Sequence, residues 1–157
     1  MRRLFRALLC ALPLIAITAC GDSTGSGDPD LSEVDFAAGL GVNIATMTRV
    51  GDGVYIKDLV VGTGAEVAAG RALQVRYRGS LANGEEFQNN FAPKPTFRLV
   101  LGQNSVIAGW EQGIPGMRVG GKRLLVIPPS LGYGNIARQG IPANSVLVFE
   151  VEIVSMQ

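Results

Sequence analysis

After Val54, apolar and polar residues alternate with a period of two in several segments of the chain. This alternation is typical of antiparallel β-strands that turn one face to the core and the other to water. The first run is expected to end at Gly79, and the apolar run KRLLVI ends at two prolines, which cannot donate to a sheet. The pattern predicts strands at 73–79, 97–101, 122–127 and 147–153.

A single segment, Ser105 to Gln112, has helical character. Ser105 is a suitable N-cap, Glu111 lies inside the helix, and Gly113 is expected to end it. Asn83-Gly84 is a strong turn signal between two strand-like runs, which adds a strand to the sheet. About five strands and one short helix predict an α+β domain, a curved antiparallel sheet whose apolar face wraps around the helix.

The first 20 residues are typical of a secretory signal, in which arginines precede an apolar run of 12 residues, Ala7 to Thr18. A membrane-spanning helix would need ~20 residues. The ITAC sequence that ends at Cys20 resembles the lipobox of bacterial lipoproteins, in which that cysteine is lipidated and becomes the N-terminus. Two or more acyl chains would hold the protein stably on a membrane. The alternative is a plain secretory signal with Cys20 as a small residue near the cleavage site.

The sequence therefore divides into four parts: a signal at 1–19, a lipidated Cys20 with a polar tether at 20–30, an arm at 31–53, and a domain at 54–157. The tether, GDSTGSGDPD after Cys20, has nothing apolar to bury. The arm has scattered apolar residues, but Gly39 and Gly41 disfavour a helix, so it is expected to pack on the domain surface. It is too short for a long dimerising helix, which predicts a monomer.

Composition excludes several kinds of chemistry. The 14 basic and 13 acidic residues nearly balance, which argues against a nucleic-acid partner. The chain has no His, which removes Ser-His-Asp and Cys-His nucleophiles, imidazole proton transfer and most zinc sites. Two Cys cannot form a cysteine-rich metal centre. If the protein is an enzyme, its chemistry therefore uses few ionisable groups.

The domain resembles the FKBP-type peptidyl-prolyl cis-trans isomerases from Gly62 to Gln157. The resemblance rests on several sequence blocks that occur in the family's order and spacing, and it implies the same fold of a sheet wrapped on a short helix. The blocks are VRYRG at 75–79, NGEEF at 83–87, FRLVLG at 97–102, VIAGWEQG at 106–113, GMRVGGKRLLVIPPSLGYG at 116–134 and IPANSVLVFEVE at 141–152.

This resemblance implies a pocket with Trp110 as its floor. The Ile107 backbone N–H would donate a hydrogen bond to a substrate carbonyl, and the Tyr133 hydroxyl would face the substrate. From spacing alone, aromatic residues on core-facing positions are more often simply core. The resemblance implies that the walls are formed by Tyr77, Phe87, Phe97, Val106, Ile107, Ile141 and Phe149, with Gln88 at the edge.

The resemblance also implies catalysis of X-Pro bond rotation in polypeptides without metal or cofactor, and binding of FK506-type macrolides. The predicted signal indicates that these polypeptides lie outside the cytoplasm. The family usually has an Asp after the Phe matched by Phe87 and an Arg five residues later, where this chain has Gln88 and Pro93. We expect this replacement to reduce turnover or to shift the preference for the residue before proline, and a binding module with little turnover is the alternative function. Phe91 either rests on the pocket rim or anchors its loop. Gly21 after the modified cysteine, in place of an Asp, favours the outer membrane over the inner one.

Overall fold

The computed structural model describes residues 27–157, so the predicted signal and Cys20 lie outside the described residues. The described part forms an antiparallel sheet with one short helix, which confirms the predicted fold class. It has seven strands where about five were predicted. They are β1 (Thr48–Val50), β2 (Val54–Val60), β3 (Ala72–Leu81), β4 (Glu86–Asn89), β5 (Phe97–Val100), β6 (Lys122–Ile127) and β7 (Leu147–Met156), and helix α1 covers Ala108–Gly113.

The strands follow the order β1-β2-β6-β7-β3-β4, and every pair is antiparallel. The long strand β3 pairs with β7 along one edge from Leu73 to Leu81. Its other edge is shared, because β5 pairs with residues 72–75 and β4 with residues 78–80. The turn predicted at Asn83-Gly84 joins β3 to β4, and Gly84 has φ 89°, which favours glycine.

Two corrections concern the ends of predicted elements. Helix α1 begins at Ala108 and has Ile107 as its N-cap residue, whereas the predicted cap, Ser105, donates its hydroxyl to the Val100 carbonyl at 3.3 Å. Strand β3 does not end at Gly79 but continues to Leu81. Gly79 lies inside the strand, where two aromatic rings pack against its backbone. A Cβ there would lie 2.6 Å from a Phe87 ring carbon and 2.7 Å from a Phe149 ring carbon, so the position requires glycine.

Helix α1 lies directly against β6 on the inner face of the sheet. A Cβ at Gly109 would lie 2.4 Å from Ile127, and one at Gly113 would lie 2.4 Å from Leu125. The two glycines therefore allow a close approach of helix and sheet. The helix directs Trp110, 4% exposed, into the main core, whose largest fully buried members include Leu73, Leu101, Ile114, Met117, Leu125, Ile127, Leu147 and Ile153.

The arm packs on the outer face of the same sheet. Leu31 is 5% exposed. The chain is also attached to the domain before the arm begins, at Asp28, whose carboxylate accepts hydrogen bonds from the Ser130 N–H, at 2.9 Å, and from the Ser130 hydroxyl. Strand β6 after Lys122 and the first three residues of β7 are consequently buried on both faces, which corrects the prediction of one wet face for Leu147 to Phe149. From Glu150 to Ile153, β7 alternates as predicted. This outer core contains Leu31, Leu124, Val126, Val146 and Val148, with Val34, Phe36, Leu40, Val42, Ile44, Met47 and Tyr55 packed against it.

Arg123 joins the end of α1 to the sheet. Its buried guanidinium donates to both carboxylate oxygens of Asp58, at 2.6 and 3.1 Å. It also donates to the carbonyls of Gly113 at 2.8 Å and Pro115 at 3.1 Å. Because Asp58 is on β2 and Gly113 ends the helix, this one side chain fixes the position of α1 relative to two strands.

Candidate functional site

A cavity of about 410 Å³ opens beside the N-terminal end of α1, above the inner face of β3 and β7. The sheet contributes its central aromatic residues, the helix contributes its first turn, and the loop after β6 contributes Tyr133. None of the lining side chains carries a charge. The lining residues are Tyr77, Gln88, Phe97, Asn104, Ser105, Val106, Ile107, Trp110, Tyr133 and Phe149.

Trp110 is the centre of the aromatic wall. Its ring centroid lies 5.0 Å from that of Tyr77 and 5.3 Å from that of Phe149, with interplanar angles of 84° and 88°. Phe97 completes the wall at 6.3 Å from Trp110 and 5.9 Å from Tyr77. These edge-to-face contacts are the favoured geometry for aromatic pairs, so the rings support one another in fixed positions.

The wall residues differ in how much of their surface faces the cavity. Tyr77 and Phe149 are 6% and 3% exposed, so each is both core and cavity wall. Phe97 is more open, because it is 39% exposed at the cavity rim.

Two of the predicted wall residues do not line this cavity. Phe87 is packed behind it, with its ring 5.6 Å from the Phe149 ring at 83°, and it lines an adjoining groove instead. Ile141 is 6% exposed and lines the same groove. Two further residues line the cavity without having been predicted there: Asn104, which has φ 52°, and Ser105, which was predicted as a helix cap.

Polar groups at the cavity are few and neutral. Among residues 27–157, no internal hydrogen bond uses the Ile107 N–H, which is therefore free to donate to a bound group. Gln88 is exposed on β4, and within the same residues it forms no hydrogen bond to the Tyr77 hydroxyl. Trp110 Nε1 is buried and has no partner in the described part of the chain.

The surroundings keep the Tyr77 hydroxyl neutral. Burial raises the pKa of Tyr77 above its ordinary value, and the nearby Tyr133 phenol adds to the effect. A cavity with aromatic walls and no charged lining residue is suited to hold an apolar group rather than to transfer protons.

Phe91 lies away from the cavity. Lys122 Nζ is 5.1 Å from the centroid of its ring, and the same ammonium group pairs with Glu150 at 3.1 Å. Lys122 begins β6 and Glu150 belongs to β7, so the contact joins the loop after β4 to these two strands. Of the two interpretations of Phe91, the structure favours the loop anchor.

In residues 27–157, no group of three or more Cys, Asp or Glu is arranged to hold a metal ion. No helix in that range is long and apolar enough to cross a membrane.

Comparison with known proteins agrees with this geometry. The sequence model of the family described as FKBP-type peptidyl-prolyl cis-trans isomerase matches residues 64–154. The match extends from just after β2 nearly to the end of β7, and it includes every residue that lines the cavity.

Among curated proteins, FK506-binding protein 4 of Mycosarcoma maydis is 44% identical over 112 residues, or 71% of this chain and 30% of that protein. A peptidyl-prolyl cis-trans isomerase of Saccharomyces cerevisiae is 45% identical over 105 residues, or 67% of this chain and 25% of that protein. This chain thus spans less than a third of these relatives.

Among solved structures, AtFKBP13 superposes with a TM-score of 0.64 at 33% identity and covers 71% of this chain and 98% of its own. FkpA from Escherichia coli superposes with a TM-score of 0.65 at 34% identity and covers 71% of this chain and 51% of its own.

Proposed function

Because the chain belongs to the FKBP-type peptidyl-prolyl cis-trans isomerase family, we propose that it accelerates X-Pro bond rotation in polypeptides and so assists their folding. The observation that carries the proposal is the uncharged aromatic cavity around Trp110. Its volume of about 410 Å³ is in the range of sites that hold small organic groups, so a proline ring with its flanking peptide groups fits.

The chemistry follows from the electronic structure of the amide. Rotation about the X-Pro bond passes through a twisted state in which resonance is lost, over a barrier of ~18–20 kcal/mol. The twisted amide is less polar than the planar one, because charge separation falls with resonance. A dry aromatic surface therefore favours the twisted state relative to the ground state more than water does, and this difference lowers the barrier.

Each group in the cavity has a part in this proposal. Trp110, Tyr77 and Phe149 would hold the proline ring. The free Ile107 N–H would donate a hydrogen bond to a substrate carbonyl, and the Tyr133 hydroxyl would face the substrate from the opposite loop. Holding ring and carbonyls in one orientation adds an entropic contribution. No proton moves and no covalent bond breaks, so the mechanism requires no His.

A protease-coupled assay on proline tetrapeptides tests the proposal directly. We expect the rate of cis-to-trans conversion to rise linearly with the concentration of the protein, and the Trp110→Leu variant to lose most of that rate. Because Trp110 is the only tryptophan, its fluorescence also reports macrolide binding to the cavity in the same preparation. Macrolide binding without catalysis would overturn the isomerase proposal in favour of a low-turnover binding module that uses the same cavity.

We further propose that the protein acts outside the cytoplasm as a bacterial lipoprotein, held on the periplasmic side of a membrane, with the outer one favoured, through lipid on Cys20. The ITAC sequence at 17–20 and the polar tether after it support this proposal. Metabolic labelling with a palmitate analogue should mark the full chain and not Cys20→Ala. Membrane association of Cys20→Ala equal to that of the original protein would overturn it. Cross-linking should give a monomer.

A further inference from the structure

A second groove adjoins the aromatic cavity. It has a volume of about 740 Å³ and shares Gln88 and Tyr133 with the cavity, so the two form one continuous surface. A polypeptide with its proline in the cavity has to leave across one of the cavity edges, and this groove is a path from one of them. Its remaining lining residues are Glu86, Phe87, Arg138, Gln139, Gly140 and Ile141.

Unlike the cavity, the groove carries charge, and Arg138 brings a positive charge to the shared boundary. Its guanidinium carbon lies 5.9 Å from the centroid of the Tyr133 ring. Its backbone is fixed on both sides, because Arg138 N–H donates to the Ile141 carbonyl at 2.8 Å and Ile141 N–H donates to the Arg138 carbonyl at 3.0 Å. The loop therefore presents this side chain at a defined place.

The charge of Arg138 is available to a bound polypeptide. Across residues 27–157, ion pairs form at Arg78, Arg118, Lys122 and Arg123, and none forms at Arg138. Arg138 is exposed, and its guanidinium retains five donors whose planar arrangement suits a carboxylate.

From this arrangement we infer that Arg138 is a specificity-determining residue that favours proline substrates with an acidic side chain next to the proline. The inference rests on the proposed isomerase function and names the substrate class that the same site prefers. It needs only that the residue beside the proline passes over the boundary formed by Gln88 and Tyr133.

Glu86 is the other charged residue of the groove, and its charge has the opposite sign. Its carboxylate is engaged by the Asn89 side-chain amide at 3.2 Å, and it also lines a separate cavity between the arm and the outer face of the sheet. Arg138 lies against the Tyr133 ring at the shared boundary and forms no ion pair within residues 27–157, so its charge remains available there.

The test compares tetrapeptides that carry Glu, Gln or Lys directly before the proline, and a second series with these residues directly after it. The full-length protein is assayed beside Arg138→Gln, Arg138→Lys and the control Arg71→Gln. The control makes the same charge change at an exposed position that lines neither the cavity nor the groove. The measured quantity is the ratio of kcat/KM for the Glu peptide to that for the Lys peptide, so a general loss of activity cancels.

In at least one series we expect this ratio to be about two to five, the range for an exposed charge pair, and to fall as salt is added. Arg138→Gln should bring the ratio close to one, whereas Arg138→Lys and Arg71→Gln should keep it. A ratio unchanged in Arg138→Gln, or a preference for Lys in the original protein, overturns the inference.

Failure of the proposed function is distinguishable from this outcome. If no peptide is isomerised, the proposed function fails, and the same ratio is then measured as dissociation constants from Trp110 fluorescence. A Glu preference lost in Arg138→Gln would still support the selectivity, and its absence would overturn it.

Discussion

Asn90 holds the backbone of Tyr77 from both directions. Its backbone N–H donates to the Tyr77 carbonyl at 3.0 Å, and its side-chain oxygen accepts from the Tyr77 N–H at 2.6 Å. The side-chain amide also donates to the carbonyls of Val75 at 3.4 Å and Pro95 at 3.3 Å. Asn90 thus occupies the gap between β4 and β5 on the edge of β3, where neither strand pairs with Tyr77.

Replacing Asn90 should therefore disturb the cavity wall through the backbone. We expect Asn90→Ala to lower the free energy of unfolding by about 1–3 kcal/mol, because it leaves the part-buried Tyr77 N–H without a partner. The kcat/KM on proline peptides should fall as well, because the Tyr77 ring moves. Asn90→Asp, which keeps the acceptor, should lose less of both. Urea unfolding and the peptide assay measure the two effects.

Asn89→Ala is the matched control, since within residues 27–157 its side chain forms hydrogen bonds only in its own segment, to Glu86 and Phe91. Equal losses of activity in Asn89→Ala and Asn90→Ala would contradict a role specific to Tyr77.

A second prediction concerns Arg123. Arg123→Met should lower the free energy of unfolding by about 3 kcal/mol or more, because it leaves two carbonyls and one carboxylate without their donor. Asp58→Asn should cost less, about 1–3 kcal/mol, since the Asp58 side chain is 42% exposed, an amide oxygen there can still accept from Arg123, and Arg123 keeps both carbonyls. Denaturant unfolding of the two variants measures the difference, and equal costs would contradict the role of Arg123 at the end of α1.

The central strands could be predicted from sequence because the side chains on the inner face of the sheet are uniformly apolar and buried. Leu73, Val75 and Tyr77 are all buried, and the alternation of their neighbours marks β3. Strands β1 and β2 were not identified because their burial is uneven: β1 has three residues, none buried, and β2 has one buried residue. The arm was predicted to pack on the domain surface, but the strands beneath it could not be identified, since the two layers of the outer core are distant in sequence.

The residues of the site also divide into those that a local sequence pattern reveals and those whose role depends on three-dimensional packing. Trp110 and Tyr133 belong to short motifs, so a family resemblance identifies them together with most of the cavity wall. Asn90 could not be identified, because its importance arises from a gap between two strands that no local pattern reveals. The position of Phe87 and Ile141 in the adjoining groove likewise depends on side-chain packing. Spacing along the chain cannot distinguish residues of the groove from residues of the cavity.

The titration of Tyr77 makes stability depend on alkaline pH. Its pKa is raised in the folded protein by burial and by Tyr133, from an ordinary value of 10.0. Neutral Tyr77 therefore contributes stability that is fully present below pH 10.0 and is lost as the pH rises through the higher folded value. Above pH 10.0 the free energy of unfolding should fall more steeply for the original protein than for Tyr77→Phe. Parallel curves in urea unfolding at successive alkaline pH values would contradict this assignment.

Gln88 stands where the family usually has an Asp, and it lines the cavity without a hydrogen bond to Tyr77. We expect Gln88→Asp to raise kcat/KM on proline tetrapeptides about two- to tenfold, the effect of one added hydrogen bond at the cavity edge. Gln88→Glu adds the same charge on a longer side chain and should give a smaller change, which separates geometry from charge. An unchanged kcat/KM in Gln88→Asp would sink the hypothesis that Gln88 limits turnover.

Gly79 provides the most direct test of how tightly the aromatic wall is packed. In Gly79→Ala the new methyl group would lie 2.6 Å from a Phe87 ring carbon and 2.7 Å from a Phe149 ring carbon, closer than carbon atoms can approach. Both rings have to move, at a cost of about 1–3 kcal/mol in the free energy of unfolding. Because Phe149 is in edge-to-face contact with Trp110 at 5.3 Å, the displacement should reach the cavity and lower kcat/KM.

Gly39→Ala is the control for this change. A Cβ at Gly39 would meet no atom within 4 Å, and its φ is not in the left-handed region, so the same methyl group there should leave stability and kcat/KM close to those of the original protein. If Gly79→Ala kept the original activity despite a loss of stability, the rings would have moved away from the cavity. In that case Phe149 would support the fold rather than the catalytic surface.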